Sequence, residues 1–248
     1  MIKLYLMEVS PLLDAKYFEQ GLALVEPERR EKINKSGQEK SRVLWLAAGL
    51  LAAYAAAEAG EQISGQNATF DSSYADCISV SAEAAIQRLF SLAPAKIERT
   101  PDGKPYYADR QGLFLSLSHS GEYAACAVSD APIGVDIQKH QNVKYNVWKR
   151  ISCPGEKAAF FSQKKQPVSE KKDYLHEEEL TEFYRFWAAK EACVKCTGAG
   201  LSKDFRELFT DFEKREIRDT VTKECWKLYS VKGPEGYSLA VCTGKIKL

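Results

Sequence analysis

Two similar α+β halves, each a long helix packed on an antiparallel sheet, are the fold this sequence predicts. Three observations carry the expectation. Two long helical runs hold matching segments, Trp45-Leu46-Ala47-Ala48 and Trp187-Ala188-Ala189. Apolar strands over Ile2 to Val9 and Ile133 to Gln138 open the two halves, and strands of similar pattern, Tyr123 to Ser129 and Tyr237 to Thr243, stand late in each. The shared order suggests a duplicated unit; coincidence between common apolar patterns is the other reading that sequence leaves open. Division into residues 1–132 and 133–248 follows, and the cleft between them is the natural place for a ligand.

The elements follow from periodicity and punctuation. Ile2 to Val9 alternates and is bulky, as a strand should be. Pro27 to Lys35 is a short charged helix with proline in its first turn. Ser41 stands where an N-cap would begin a long apolar helix running through Ala57. Leu113 to Leu117 and Tyr123 to Ser129 read as a hairpin turning at Ser120-Gly121. Glu182 to Cys196 is helical and stops at Gly198 and Gly200. Cys225 to Lys232 and Tyr237 to Thr243 form a last hairpin around Gly233-Pro234. Gln163 to Glu179, rich in Lys, Glu, Gln and Asp, is an exposed connection or a solvated helix extension.

Bulk properties exclude several classes. With 248 residues and 45% apolar content the chain can bury one large core or two small ones. A net charge of +1 argues against whole-molecule attraction to nucleic acid or membrane, while leaving room for a local basic pocket. Val43 to Ala57 falls short of a membrane span, and Met1 to Val9 is too short and polar for a signal core, so a cytoplasmic location is expected. The seven cysteines are scattered and read as reduced thiols. Cys193 and Cys196 form a C-x-x-C without the second ligand pair or thioredoxin-like setting that zinc or redox chemistry needs.

Four segments bear on chemistry. In the strand Ile133 to Gln138, alternation puts Ile133, Val135 and Ile137 on one face and Gly134, Asp136 and Gln138 on the other. An aspartate between isoleucines is costly to bury unless it is paired or binds a cation; an edge-strand Asp facing water is the plain alternative. On the helix, Trp187, Glu191 and Lys195 are spaced by four and share a face. A surface Glu–Lys pair is the commonest meaning of that spacing, but Phe183, Tyr184, Phe186 and Val194 leave this helix little room to face water. Ser116-Leu117-Ser118-His119-Ser120 ends a strand without a nucleophile elbow, so hydrogen bonds to phosphate suit it better than hydrolase chemistry. Asp102-Gly103-Lys104-Pro105 is a turn that holds Lys104 extended, and Arg29, Arg30, Lys32 and Arg42 make a basic cluster.

The order of these segments is more telling than any one of them. A G-K-P turn, then S-x-S-H-S, then G-V-D-I, then W-x-x-K-E-A-x-x-K-x-x-G-x-G-L from Trp187 to Leu201 resembles the Sfp-type 4′-phosphopantetheinyl transferases. Pro27-Glu28-Arg29-Arg30-Glu31-Lys32 also looks like a segment of that family. The resemblance implies two halves in pseudo-twofold arrangement, with coenzyme A bound across their junction. It places a magnesium ion, or manganese instead, on Asp136 and Glu191, with Gln138 standing where many members have Glu. It sets Lys190 and Lys195 at the phosphates and Ser118 and His119 on phosphate oxygens. Lys104 falls beside the adenosine, and Arg29, Lys32 and Arg42 near the 3′-phosphate. On this resemblance Glu191 and Lys195 are expected to carry the catalysis. The implied reaction moves 4′-phosphopantetheine from coenzyme A to a serine of an acyl, peptidyl or polyketide carrier protein and releases adenosine 3′,5′-bisphosphate. The carrier is expected to dock on Lys157 to Lys165, where Phe160 and Phe161 lie between lysines. A monomer without nucleic-acid or membrane partners is expected. Two rivals remain at this stage. One is an inactive carrier-binding module of the same fold; the other is a different nucleotide enzyme, which would lack any P-loop or dinucleotide fingerprint.

Overall fold

A computed structural model describes residues 2–62, 77–92, 95–156, 174–200 and 203–246. Strand β1 (Ile2–Glu8) leads into helices α1 (Ala15–Leu24), α2 (Pro27–Lys35) and α3 (Glu39–Gln62). Then come β2 (Cys77–Ser79), α4 (Ala82–Leu89), the small hairpin β3 (Ile97–Arg99) and β4 (Pro105–Tyr107), and the hairpin β5 (Phe114–Ser120) and β6 (Tyr123–Ser129). The second stretch holds β7 (Ile133–Lys139), α5 (Tyr145–Ile151), α6 (Glu177–Thr197), β8 (Leu208–Asp211), β9 (Glu216–Asp219), β10 (Cys225–Val231) and β11 (Tyr237–Ile246).

The chain is α+β, with two sheets. One runs β2-β1-β6-β5 and the other β7-β11-β10-β9-β8. In the first, β1 lies antiparallel to β6, pairing Ile2 with Ser129; in the second, β7 lies antiparallel to β11, pairing Ile133 with Thr243. The long helix α3 packs on β6, β5 and β1, and α6 packs on β7, β11 and β10. Strand, long helix and closing hairpin therefore follow in the same order in each sheet.

Side-chain size sets the layers. Every residue of β6 from Ala124 to Ser129 is buried. Ala124, Cys126 and Val128 face the helical core around α3, where Leu46, Leu50 and Leu51 are fully covered. Ala125 and Ala127 face the other way, into a core shared with Leu4, Leu6, Ile133, Val135, Ile137, Leu239 and Val241. That second core joins the two sheets. Glu39–Ala59 is longer and more apolar than the sequence reading allowed, enough to cross a membrane by length and composition; 72% of its apolar window is buried inside the protein. All seven cysteines are free thiols, six of them buried.

The seam between β5 and β7 is made by serines. On the side away from β11, the backbone N–H groups of Val135, Ile137 and Lys139 donate to the hydroxyls of Ser116 (3.0 Å), Ser118 (3.3 Å) and Ser120 (3.0 Å). Alternate serines on β5 thus satisfy alternate donors on β7 that would otherwise be orphaned. Gly134 closes the opposite face: a Cβ there would lie 1.9 Å from the carbonyl oxygen of Ala192 and 2.5 Å from the nitrogen of Cys196. Only glycine lets α6 come this close to β7.

Several boundaries move. Ser41 lies inside the first turn of α3, bonded to Gln38, rather than capping it. Helix α6 starts at Glu177, five residues before the expected Glu182, because His176 and Glu179 form a reciprocal cap. The Lys157 to Lys165 stretch lies outside the described residues, as does most of Gln163 to Glu179.

Candidate active site

Between the two sheets' helices opens a cavity of about 560 Å³. Trp45 on α3 and Trp187 on α6 both line it, one from the long helix on each sheet. Glu191 and Lys195 follow Trp187 at intervals of four, so all three look out from one face of α6. Asp136 and Gln138 reach the cavity from β7, and Ser118 and His119 from the end of β5.

Asp136 is the centre of the polar network and is 1% exposed. Its Oδ1 accepts from the Lys195 ammonium at 2.6 Å and from the Ser118 hydroxyl at 2.8 Å. Its Oδ2 accepts from the Gln138 amide at 2.9 Å. Lys195 also donates to Ser118 Oγ at 3.0 Å and to the carbonyl of Val135 at 3.1 Å. Burial raises the Glu191 carboxyl above its ordinary range, the nearby charge of Asp136 raises it further, and Lys195 partly opposes both. Two carboxylates that repel each other at a cavity wall are what a cation would relieve.

The residues present fit a hydrated dication. Magnesium needs one or two carboxylates together with phosphate oxygens and waters. Asp136 and Glu191 supply the carboxylates, and Gln138 supplies a carbonyl oxygen when its amide is turned over, a rotation that costs one hydrogen bond. Among the described residues no three Asp, Glu, His or Cys side chains gather as a metal site, so the oxygen set here is two carboxylates and an amide.

The far end of the cavity is cationic. Arg29 is 7% exposed and crosses α3 at Gly49, where a Cβ would come within 2.5 Å of its Cδ. Its Nε is held by Glu26 at 2.7 Å and its Nη1 by the carbonyl of Trp45 at 3.2 Å; its Nη2 is buried without a hydrogen-bond partner. Lys32 lies over the Trp45 ring, 4.3 Å from its centre. Burial, and then the charges of Arg99 and Arg29, lower the pKa of Lys32. His119 is lowered first by burial and then by Lys195, Arg29 and Lys32. Four cationic or protonatable groups gathered at one end of the cavity, Arg29, Lys32, Arg99 and His119, make a ready anion site.

Three sequence expectations change. Lys190 does not reach the cavity: it points away from the Glu191 face, is fully buried, and donates to Glu156 (2.6 Å), the carbonyl of Ile151 (2.7 Å) and the carbonyl of Phe205 (3.0 Å). A residue adjacent to Glu191 is turned by about 100° around the helix, enough to place it on the packed side. Arg42 is not on the cavity wall; its guanidinium lies 4.7 Å over the Phe18 ring. The Ser118 hydroxyl is already engaged by Asp136, Ile137 and Lys195, so it orients those groups and has no free valence for a phosphate oxygen. Lys104 does line the cavity, half-buried, with its ammonium on the carbonyl of Cys196 at 2.9 Å near the end of α6. Burial lowers its pKa.

Sequence reasoning missed Arg99 and Glu156. Arg99 reaches the cavity from the three-residue strand β3, which carries no motif. Glu156 organises the floor beneath α6, accepting from the Cys153 and Thr210 amides at 2.7 Å each as well as from Lys190. The one signal for it was an apolar helix carrying a lysine that needed a buried partner.

Residues 132–242 match the profile of the 4′-phosphopantetheinyl transferase superfamily. The chain is 31% identical over 163 residues to a 4′-phosphopantetheinyl transferase of Bacillus subtilis, covering 64% of this chain and 68% of that one. It is 30% identical over 145 residues to the 4′-phosphopantetheinyl transferase Sfp of Bacillus subtilis strain 168, covering 56% and 59%. It is also 30% identical over 139 residues to the 4′-phosphopantetheinyl transferase HetI of a Nostoc species, covering 54% of each chain. These matches, joined to a cleft whose charged face is spread over β7 and α6, show that the chain belongs to the 4′-phosphopantetheinyl transferase superfamily as an enzyme of the Sfp type.

Proposed function

We propose that this protein transfers 4′-phosphopantetheine from coenzyme A to a serine hydroxyl of an acyl, peptidyl or polyketide carrier protein. The observation that carries the reading is the single cavity in which Asp136, Glu191 and Lys195 face an anion site built from Arg29, Lys32, Arg99 and His119. Coenzyme A carries phosphate groups at two places, and the cavity offers two polar regions. The 3′-phosphate suits the cationic end, with Arg29, Lys32 and His119 as donors and Arg99 beside them. The adenosine lies by Lys104, and the diphosphate lies before Asp136 and Glu191. The same reading takes residues 1–132 and 133–248 as two halves related by a pseudo-twofold axis, with the ligand bridging them.

A divalent ion, magnesium or manganese, held by Asp136, Glu191 and the Gln138 carbonyl oxygen would neutralise charge on the diphosphate. The carrier serine oxygen attacks the phosphorus nearer pantetheine. The bond from that phosphorus to the bridging oxygen breaks, and adenosine 3′,5′-bisphosphate leaves with the electron pair. Lys195, whose three donors are held by Asp136, Ser118 and the Val135 carbonyl, turns one of them from these partners to the developing charge on the leaving group. Glu191 takes the serine proton directly or through a water. Ser118 keeps Lys195 and Asp136 in register. Monomeric state and a cytoplasmic location belong to the same proposal. The alternative of an inactive binding module has no support, since the relatives are transferases and Asp136, Glu191 and Lys195 are in place.

The test is release of adenosine 3′,5′-bisphosphate, followed by chromatography, when the protein is mixed with coenzyme A, magnesium and an apo carrier protein. Release is expected to need all three. Release without a carrier protein would point to a coenzyme A hydrolase and overturn the reading.

A further inference from the structure

Three thiols meet beneath the last turns of α6. Cys193 and Cys196 come from the helix, and Cys242 comes from β11; all three are buried in one cluster. The C-x-x-C spacing pairs the first two, but the fold adds the third. Cys242 is the strand partner of Gly134, so the two positions share a face of the sheet. That face is the one α6 covers, and a Cβ on Gly134 would lie 2.5 Å from the nitrogen of Cys196. Cys242 therefore stands beside the Cys196 turn. Its thiol hydrogen-bonds to Cys196, and Cys196 Sγ in turn donates to the carbonyl of Pro132 at 3.3 Å. The same carbonyl accepts from Thr243 Oγ1 at 3.0 Å and from the Gly244 N–H at 3.4 Å, which fixes β11 just past Cys242.

The two thiols differ in character. The hydrogen bond from Cys242 lowers the pKa of Cys196; burial opposes this, and Lys104 and the Gly244 N–H add to the lowering. Burial, and then contact with Cys193 and Cys196, raises Cys242 well above the ordinary thiol range. One thiol is thus disposed to ionise beside a neutral partner, the arrangement of an attacking and a resolving cysteine. Cys196 stands next to the end of α6, and Thr197, Ala199 and Gly200 beyond it are exposed. Fraying of that last turn is enough to admit an oxidant as small as hydrogen peroxide. Cys196 is also tied to the cavity. Lys195, the residue before it, lines the cavity, and Lys104 lines it while resting its ammonium on the Cys196 carbonyl at 2.9 Å.

We infer that Cys196 and Cys242 are an oxidation site, closing to a disulfide under hydrogen peroxide and thereby weakening the nucleotide site. The effect on the site rests on the coenzyme A reading above; formation of the disulfide does not. The Cys196 thiolate attacks one peroxide oxygen, the O–O bond breaks, and the hydroxide released takes up a proton as water. Cys196 is then a sulfenic acid. Cys242 gives up its proton and attacks the Cys196 sulfur. The S–S bond forms, the S–O bond breaks, and the second hydroxide leaves with that proton as water. The two thiols are oxidised by one peroxide, which is reduced. Sulfurs in hydrogen-bond contact must draw together to about 2.05 Å in a disulfide. The last turn of α6 is pulled towards β11, Cys196 Sγ leaves the Pro132 carbonyl, and Lys104 and Lys195 shift with the turn.

The experiment adds hydrogen peroxide to the full chain until Cys77, the partly exposed thiol, is oxidised. Remaining thiols are alkylated, and tryptic peptides are mapped by mass without reduction. Trypsin separates the three thiols, with Cys193 in residues 191–195, Cys196 in 196–203 and Cys242 in 233–245. The expected product joins 196–203 to 233–245, lighter by the two thiol hydrogens. It should persist in Cys193→Ala and vanish in Cys242→Ala. Calorimetry of the oxidised wild type should show adenosine 3′,5′-bisphosphate bound roughly fivefold or more weakly, with recovery in dithiothreitol. No joined peptide once Cys77 is oxidised, or a link through 191–195 instead, would overturn the pair. The expected link with unchanged affinity would overturn its effect on the site. A reduced protein that does not bind adenosine 3′,5′-bisphosphate would overturn the coenzyme A reading and the effect together, with the peptide map still deciding the disulfide.

Discussion

Glu191 is held at the cavity wall by two opposed influences, burial beside Asp136 on one side and Lys195 on the other, and the first prevails. The folded protein therefore binds this proton more tightly than the unfolded chain. The sign follows: the group withdraws stability as pH rises above its unfolded value near 4.5. Glu191→Gln should abolish transfer and yet stabilise the fold at pH above that range. A gain on the order of 1 kcal/mol is usual when a functional strain is relieved, or ~2–4 °C in Tm for a chain this long. Thermal melts at acidic and alkaline pH check it; a gain that is equal at both would remove the electrostatic account. His119 makes the second residue-scale prediction. Its pKa is lowered from 6.5 by burial and by three cations, so an incoming phosphate should draw a proton onto the ring. Affinity for adenosine 3′,5′-bisphosphate should rise as pH falls below that value, and His119→Ala should lose the extra slope in calorimetry. These residues were legible in the sequence because they sit in spaced motifs. Lys190 was legible too, but its direction was not: a motif gives the order of side chains, while the helix's packing decides which of two neighbours meets the ligand.

Helix α6 does two jobs on two faces. The Trp187–Glu191–Lys195 face looks into the cavity, and the face with Lys190 rests on Glu156. Both partners of that ion pair are out of water, with side-chain exposures of 0% and 1%. Removing one partner leaves a buried charge uncompensated, so Lys190→Met should cost about 3–5 kcal/mol in urea denaturation. Adding Glu156→Gln should recover part of the loss. If Lys190→Met instead keeps full stability and loses only coenzyme A affinity, Lys190 belongs to the phosphate site after all. At this scale the sequence located both long helices and the β5–β6 and β10–β11 hairpins, whose periods and turns are local. It did not show α1, α4, α5 or the strands β2, β3, β4, β8 and β9, most of them short segments whose existence depends on what they pack against.

The two sheets meet along a seam where side-chain hydroxyls stand in for a backbone ladder. Ser116 and Ser120 satisfy Val135 and Lys139, and Ser118 adds Asp136 and Lys195 to the same row, so the joint between the sheets is continuous with the polar network of the cavity. Ser116→Ala with Ser120→Ala leaves two strand donors unmade, at ~1–3 kcal/mol for the buried Val135 donor and less for the part-buried Lys139 donor. Hydrogen exchange at Val135 and Lys139 should quicken by roughly tenfold or more, while the amides of α3 stay protected. Uniform loss of protection would mean that the sheets do not part along this line. The repeated strand, helix and hairpin order was visible in the sequence as a weak echo. The seam was not, because serines at alternate positions on a strand have no meaning until the partner strand is known. If the proposed reaction is the right one, the cavity beside this seam is where phosphopantetheine changes hands. Intact-mass spectrometry of an apo carrier protein, incubated with this enzyme, coenzyme A and magnesium, tests that most directly. The expected result is the gain of one phosphopantetheine on the carrier serine, lost with Asp136→Asn and with a carrier lacking that serine. A folded enzyme that adds nothing to acyl, peptidyl or polyketide carriers, with magnesium or manganese, would contradict it.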